Sequence, residues 1–203
     1  MPQPTQKVPS ISHSKNKIIN NFPNNKKTFL SKLDKSKKGD IDQRALPLIT
    51  TINQRENYYT TSSCSGRVYL WTGSGKKNET LWINMSHDLI DESFLTPSKP
   101  HNSLIWLRFE PFIMHICCKD IESANHLLQE VHKFYKKSSI LSIANKIILE
   151  IRSSESIEMP LYENNQLLFP KTHHTFLINM INQKMNEMWN KMEKLRVMIE
   201  KIN

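Results

Sequence analysis

The chain has 203 residues, enough for one domain with appendages, and 38% are hydrophobic, which permits a core of moderate size. Lysine and arginine number 28 against 19 acids, and the net charge of +9 suits a polyanionic partner such as nucleic acid, or else a merely lysine-rich surface. Cys64, Cys117 and Cys118 form neither a secreted disulfide framework nor a CxxC zinc pair, and no apolar run reaches the ~18 residues of a membrane span, so a reduced, cytoplasmic protein without a metal is expected.

Residues 1–25 hold four prolines among Ser, Asn and Gln, which predicts a disordered leader ahead of a domain over 26–203. Six lysines then fall within 26–38 against the single acid Asp34. Lys32, Lys35, Lys37 and Lys38 are candidate contacts to a nucleic-acid backbone, or else a solvated helix face. Phe29, Leu30 and Leu33 predict a short helix ended near Gly39. Asp40 or Asp42 is the candidate cap of the next, which carries Leu46, Ile49 and Ile52 on one face and Pro47 in its first turn.

Aromatic and β-branched residues predict strands at 57–62 and 66–72, joined by the run TTSSCSGR at 60–67. Two readings of that run stay open. It is an ordinary hairpin turn, or its small side chains admit an anion to the backbone N–H groups while Arg67 grips it with two parallel hydrogen bonds. A glycine-containing loop at 72–77 leads to a strand at 81–86, and 88–102 reads as an irregular connection. Strands follow at 103–109 and, after Pro111, at 112–118. Asp120 caps a predicted helix with Ile121, Ala124, Leu128 and Val131 at helical spacing, and strands at 139–143 and 146–152 come next.

A long helix begins near Thr172, striped by Leu177, Ile181, Met188, Met192, Leu195, Ile199 and Ile202. The stripe is core or a helix–helix seam, and a helix-mediated homodimer is one use of such a seam. Gly73-Ser74-Gly75 is the one GxG and no helix clearly follows it, which argues against a Rossmann site. The expected fold is α+β, a single domain with a mixed, largely antiparallel sheet and a long C-terminal helix.

His115, Glu110 and His87 are the candidates for proton transfer near neutral pH; a histidine on an apolar strand is otherwise a satisfied core residue. Arg152 is a candidate partner of Glu110 or of a phosphate. Cys64 reads as a small buried residue rather than a nucleophile.

The FLSKLDKSKKG segment at 29–39, the YYTTSSCSGR segment at 58–67, Trp82 with Ser86-His87, and FEPFIMH at 109–115 occur in one collinear order. EIRS at 150–153, MPL at 159–161 and NQKM at 182–185 continue it. Together they resemble the tRNA wybutosine-synthesizing protein 3 family over roughly 27–195, nearer its archaeal members. The resemblance implies methylation of a ring nitrogen, N4, of a 4-demethylwyosine derivative beside the anticodon of phenylalanine tRNA, with S-adenosylmethionine as donor. Read so, Ser62, Ser63, Cys64, Ser65, Gly66, Arg67 and Ser138 are candidates for holding the donor, and the lysines with Arg152 for holding RNA. A non-catalytic RNA-binding or scaffold protein of the same pathway is the alternative. One departure stands out: a GF-[RK]-x-SGI-type segment of the family reads FYKKSSI at 134–140, and both glycines are replaced. A turn needing positive φ at Ser139 would be strained.

Overall fold

The computed structural model describes residues 21–33, 42–76 and 78–202. The chain divides into two compact units, Met1–Ser36 and Lys37–Asn203. In the first, helix α1 spans Phe22–Leu33, so it takes in residues 22–25 that were expected in the leader. Pro23 falls in its first turn, where its missing N–H has no intrahelical partner to lose. Lys32 is exposed in the last turn, a position that favours a cation. Lys35, Lys37 and Lys38 lie outside the described residues.

The second unit builds two sheets, each wholly antiparallel. The first runs β1 (Tyr58–Cys64), β5 (Ile113–Cys118), β7 (Ile147–Arg152), β6 (Ser139–Ser142). The second runs β3 (Thr80–Ser86), β2 (Arg67–Gly73), β4 (Ile105–Glu110), β8 (Ile157–Glu163), β9 (Gln166–Leu167). Helices α2 (Leu46–Gln54), α3 (Ile121–Val131) and α4 (His174–Glu200) complete it. The α+β expectation holds, with the strands shared between two sheets. Among the described residues no helix is long and apolar enough to cross a membrane.

The hairpin reading of 60–67 is corrected. Ser62, Ser63 and Cys64 are inside β1, which pairs with β5, while Arg67 opens β2, which pairs with β3 and β4. At Ser65-Gly66 the chain leaves one sheet for the other. Strands that change sheet need a sharp bend, and Gly66 supplies it at φ +98°, a conformation side chains rarely adopt. Two further passages between sheets occur at Pro111-Phe112 and at 153–156.

Helix α4 lies beneath the first two passages. A Cβ on Gly66 would collide with Met188 Cε, and Phe112 donates its N–H to Met188 Sδ at 3.0 Å. The third is tied to the same helix through Lys191, which pairs with Glu155. Every residue of the α4 stripe is buried in this chain's own core. Of the two readings of the stripe, core is the one realised in this chain.

Helix caps are mixed. Asp120 accepts Ser123 N–H at 2.7 Å as expected, and Pro47 sits in the first turn of α2. Asp42 does not cap α2. Its Oδ1 takes Arg44 N–H at 3.1 Å and its Oδ2 takes Ser65 N–H at 2.7 Å. Helix α3 buries Ala124, Leu127 and Val131 and leaves Ile121 38% exposed, so its apolar face is rotated from the predicted one. The only non-glycine residues at positive φ among those described are Asn164 and Asn165. Ser139 thus starts β6 without strain, and the replaced glycines cost no local distortion.

Candidate functional site

Three side-chain groups gather around the passages between sheets. On one face of the first sheet, Ser62 is the Cα partner of His115, and His115 of Glu150. A shift of register between Thr60 and Ser62 sets this alignment. Ser62 Oγ is 2.7 Å from His115 Nδ1, and His115 Nε2 is 3.0 Å from Glu150 Oε2. An ionised carboxylate only accepts, so Nε2 carries the ring proton and Nδ1 accepts from the Ser62 hydroxyl. Ser62 is exposed, whereas the Glu150 side chain is 15% exposed. A base oriented by an inner carboxylate and reached through an outer hydroxyl is a device for moving protons.

The second group centres on Glu110. Arg67 places Nε at 2.8 Å and a terminal nitrogen at 2.7 Å from Glu110 Oε2, while the Tyr69 hydroxyl donates to Oε1 at 2.6 Å. Arg108 Nε adds a contact at 3.4 Å. Burial opposes ionisation of Glu110, yet the Tyr69 hydrogen bond and the two guanidinium groups outweigh it and hold the carboxyl below its ordinary range. Burial and that same bond push the Tyr69 hydroxyl well up. Two expectations change here. The anion that Arg67 grips is internal, and Glu110 is a stabilised carboxylate, a weak proton acceptor.

The third group is Asp42, Cys64 and His87, whose ligand-type atoms lie within 4.8 Å of one another. His87 Nδ1 is 2.9 Å from the Gly66 carbonyl, to which it donates, and 3.6 Å from Asp42 Oδ2. With Asp42 also holding Ser65 N–H, these residues fasten the backbone of the bend. Burial pushes the Cys64 thiol up, which keeps it protonated. Ser65 is fully buried, and Ser63 faces away from Ser62, opposite Met114 in the ladder.

A cavity of about 510 Å3 opens where β4 passes into β5 and β7 leaves the first sheet, with Arg108, Glu110, Lys137, Glu150, Arg152 and Ser154 in its wall. Arg152 and Lys137 are exposed and have no acidic partner among the described residues. Ser138 is 5% exposed, and its hydroxyl accepts Arg152 N–H at 3.3 Å, so it supports the wall rather than facing a ligand. A larger hollow of about 780 Å3 beside His126, Phe134, Val197 and Met198 contains none of the expected site residues.

The cavity wall thus joins Glu110 and Arg152 with Glu150, the carboxylate that reaches His115. Glu150 was missed as a site residue. Its signal is a carboxylate at an outward position of the strand IILEIR, whose buried positions are Ile147, Leu149 and Ile151.

The family model described as Methyltransferase TYW3 matches residues 14–201. The tRNA wybutosine-synthesizing protein 3 homolog of Homo sapiens is 31% identical over 173 residues, covering 81% of this chain and 67% of that protein. The tRNA(Phe) 7-((3-amino-3-carboxypropyl)-4-demethylwyosine(37)-N(4))-methyltransferase of Methanocaldococcus jannaschii is 34% identical over 173 residues, covering 81% and 89%. Among solved structures, the PH1069 protein of Pyrococcus horikoshii superposes with a TM-score of 0.83 at 31% identity over 90% of this chain and 97% of its own.

Proposed function

The chain belongs to the methyltransferase family TYW3, and on that premise we propose that it methylates N4 of a 4-demethylwyosine derivative in phenylalanine tRNA, with S-adenosylmethionine as donor. The single observation that carries the reading is the line Ser62–His115–Glu150 ending in the cavity wall. Methylation of a ring nitrogen that bears a proton requires a group to take that proton. Ser62 is the outermost member, and a proton passed to its oxygen as its own moves to His115 Nδ1 leaves an imidazolium that Glu150 stabilises. His87, with Nδ1 committed to Gly66, is less suited, and Glu110 is held as a carboxylate.

The cavity suits the donor in size and in charge. Small-molecule sites run from about 300 to 1,000 Å3. Its wall pairs Glu150 with Arg152 and Lys137, a set matched to an ammonium and a carboxylate on one ligand. S-adenosylmethionine brings an electrophilic methyl group to such a site, and in-line transfer then depends on positioning. The Lys32 end of α1 and the lysines of 35–38 provide cations for tRNA phosphates. Calorimetric titration with S-adenosylmethionine tests the donor assignment: saturable heat that Arg152→Ala weakens supports it. A folded protein that binds no donor would instead be the non-catalytic tRNA-binding alternative.

A further inference from the structure

One face of the second sheet carries a row of rings that methyl transfer does not use. Trp71 on β2 is the Cα partner of Trp82 on β3 and of Trp106 on β4, and Trp106 is that of Pro160 on β8. At about 4.8 Å per strand the row crosses about 14 Å of sheet. Strand β4 alternates strictly: Ile105, Leu107 and Phe109 are buried, while Trp106, Arg108 and Glu110 turn outward. Trp82 is 43% exposed, and Met85 beside it 54%. The rings of Trp71 and Trp106 lie 6.2 Å apart at 20°, and Trp82 leans on Tyr69 at 4.4 Å under the Arg67 guanidinium, 4.7 Å from its ring centre. The outward positions of a half-buried antiparallel sheet ordinarily take polar residues. An apolar row held in register across four strands marks a binding surface.

We propose that this row is a stacking platform for unpaired RNA bases, namely the loop nucleotides flanking the one whose base is methylated. The inference rests on the tRNA reading above. Two relationships favour RNA over an apolar protein partner. Arg108 and Glu110 continue the outward face of β4 beyond Trp106 and line the cavity, so platform and cavity are one continuous surface. Flat rings alternate there with the guanidinium planes of Arg67 and Arg108, and both stack on bases of any sequence. The chain's net charge of +9 complements the attached phosphates.

The test uses the full chain, a hairpin RNA with an unpaired loop, and a blunt duplex of equal length. Tryptophan fluorescence should be quenched by the hairpin and much less by the duplex. Trp82→Ala and Trp106→Thr should each weaken hairpin binding roughly 5- to 150-fold, the worth of one stacked base. The salt slope should stay unchanged, since no phosphate contact is removed. Trp82 is the most exposed of the three, so its variant keeps the test open should the Trp106 variant not fold. Equal quenching by duplex, unchanged hairpin affinity in folded variants, or wild-type self-association lost with Trp82→Ala would each overturn the proposal. Methyl transfer by the wild type is scored separately: its absence removes the tRNA-methyltransferase reading, whereas quenching alone decides the platform.

Discussion

Ser62 Oγ lies 2.7 Å from His115 Nδ1, across neighbouring strands and at paired register positions. The pair is fixed by backbone hydrogen bonding of β1 with β5 and by Glu150 behind the ring, so its geometry does not depend on a loop. His115→Asn is expected to lower kcat about 100-fold or more, the usual range for a lost proton-transfer group. Ser62→Ala, which leaves the ring oriented, should lose less. Turnover at saturating donor and tRNA, beside melting curves that show both variants folded, checks the order of effects.

Arg67 and Glu110 form the ion pair that closes the start of β2 against the end of β4. Arg67→Ala should therefore destabilise the fold by about 1–3 kcal/mol, because it strands a half-buried carboxylate. The double change Arg67→Met with Glu110→Gln should recover part of that loss. Denaturant unfolding measures both, and a single variant as stable as wild type would separate Arg67 from this role. The Glu110 carboxyl is lowered in the folded chain. Its contribution is thus complete above the ordinary carboxylate range and fades as pH falls through the lowered folded value.

Gly66→Ala places a methyl group against Met188 and forces a side chain into the left-handed region. A loss of about 3 kcal/mol or more is expected, read from the thermal midpoint. Adding Met188→Ala relieves the contact without changing the backbone demand, so only part of the stability should return. Full recovery would mean that the bend tolerates a side chain.

Most helices and strands are legible in the chain, since alternation and helical spacing are local signals. Strand β4, with its strict alternation, and helix α4, with its stripe, are the clearest cases. The allocation of strands to sheets is not local. Nothing within 60–67 distinguishes a hairpin turn from a bend between sheets, because the difference lies in the partners, β5 for one side and β4 for the other. The same holds for side chains. Arg67 reads as an anion ligand until Glu110, far along the chain, occupies it. Glu150 acquires its place only when the register sets it behind His115.

Glu155 holds the passage from β7 to β8 against α4 through Lys191 and Ser153. Burial opposes its ionisation, but the Lys191 and Ser153 bonds prevail and lower its pKa to about 2. The stabilisation is full above the unfolded value, about 4.3 for a glutamate, and is lost as pH falls towards 2. Lys191→Met should raise the pH midpoint of acid unfolding and change stability less at pH 3 than at pH 7. An acid transition at the wild-type pH would show that this pair does not govern it.

The most direct test of the account is transfer of labelled methyl groups from S-adenosylmethionine to phenylalanine tRNA isolated from cells that lack this enzyme. The expected result is stoichiometric labelling at N4 of the 4-demethylwyosine derivative by the wild type, strongly slowed by His115→Asn. Folded wild-type protein that transfers no methyl group at saturating donor, or a His115→Asn variant as fast as wild type, would contradict it.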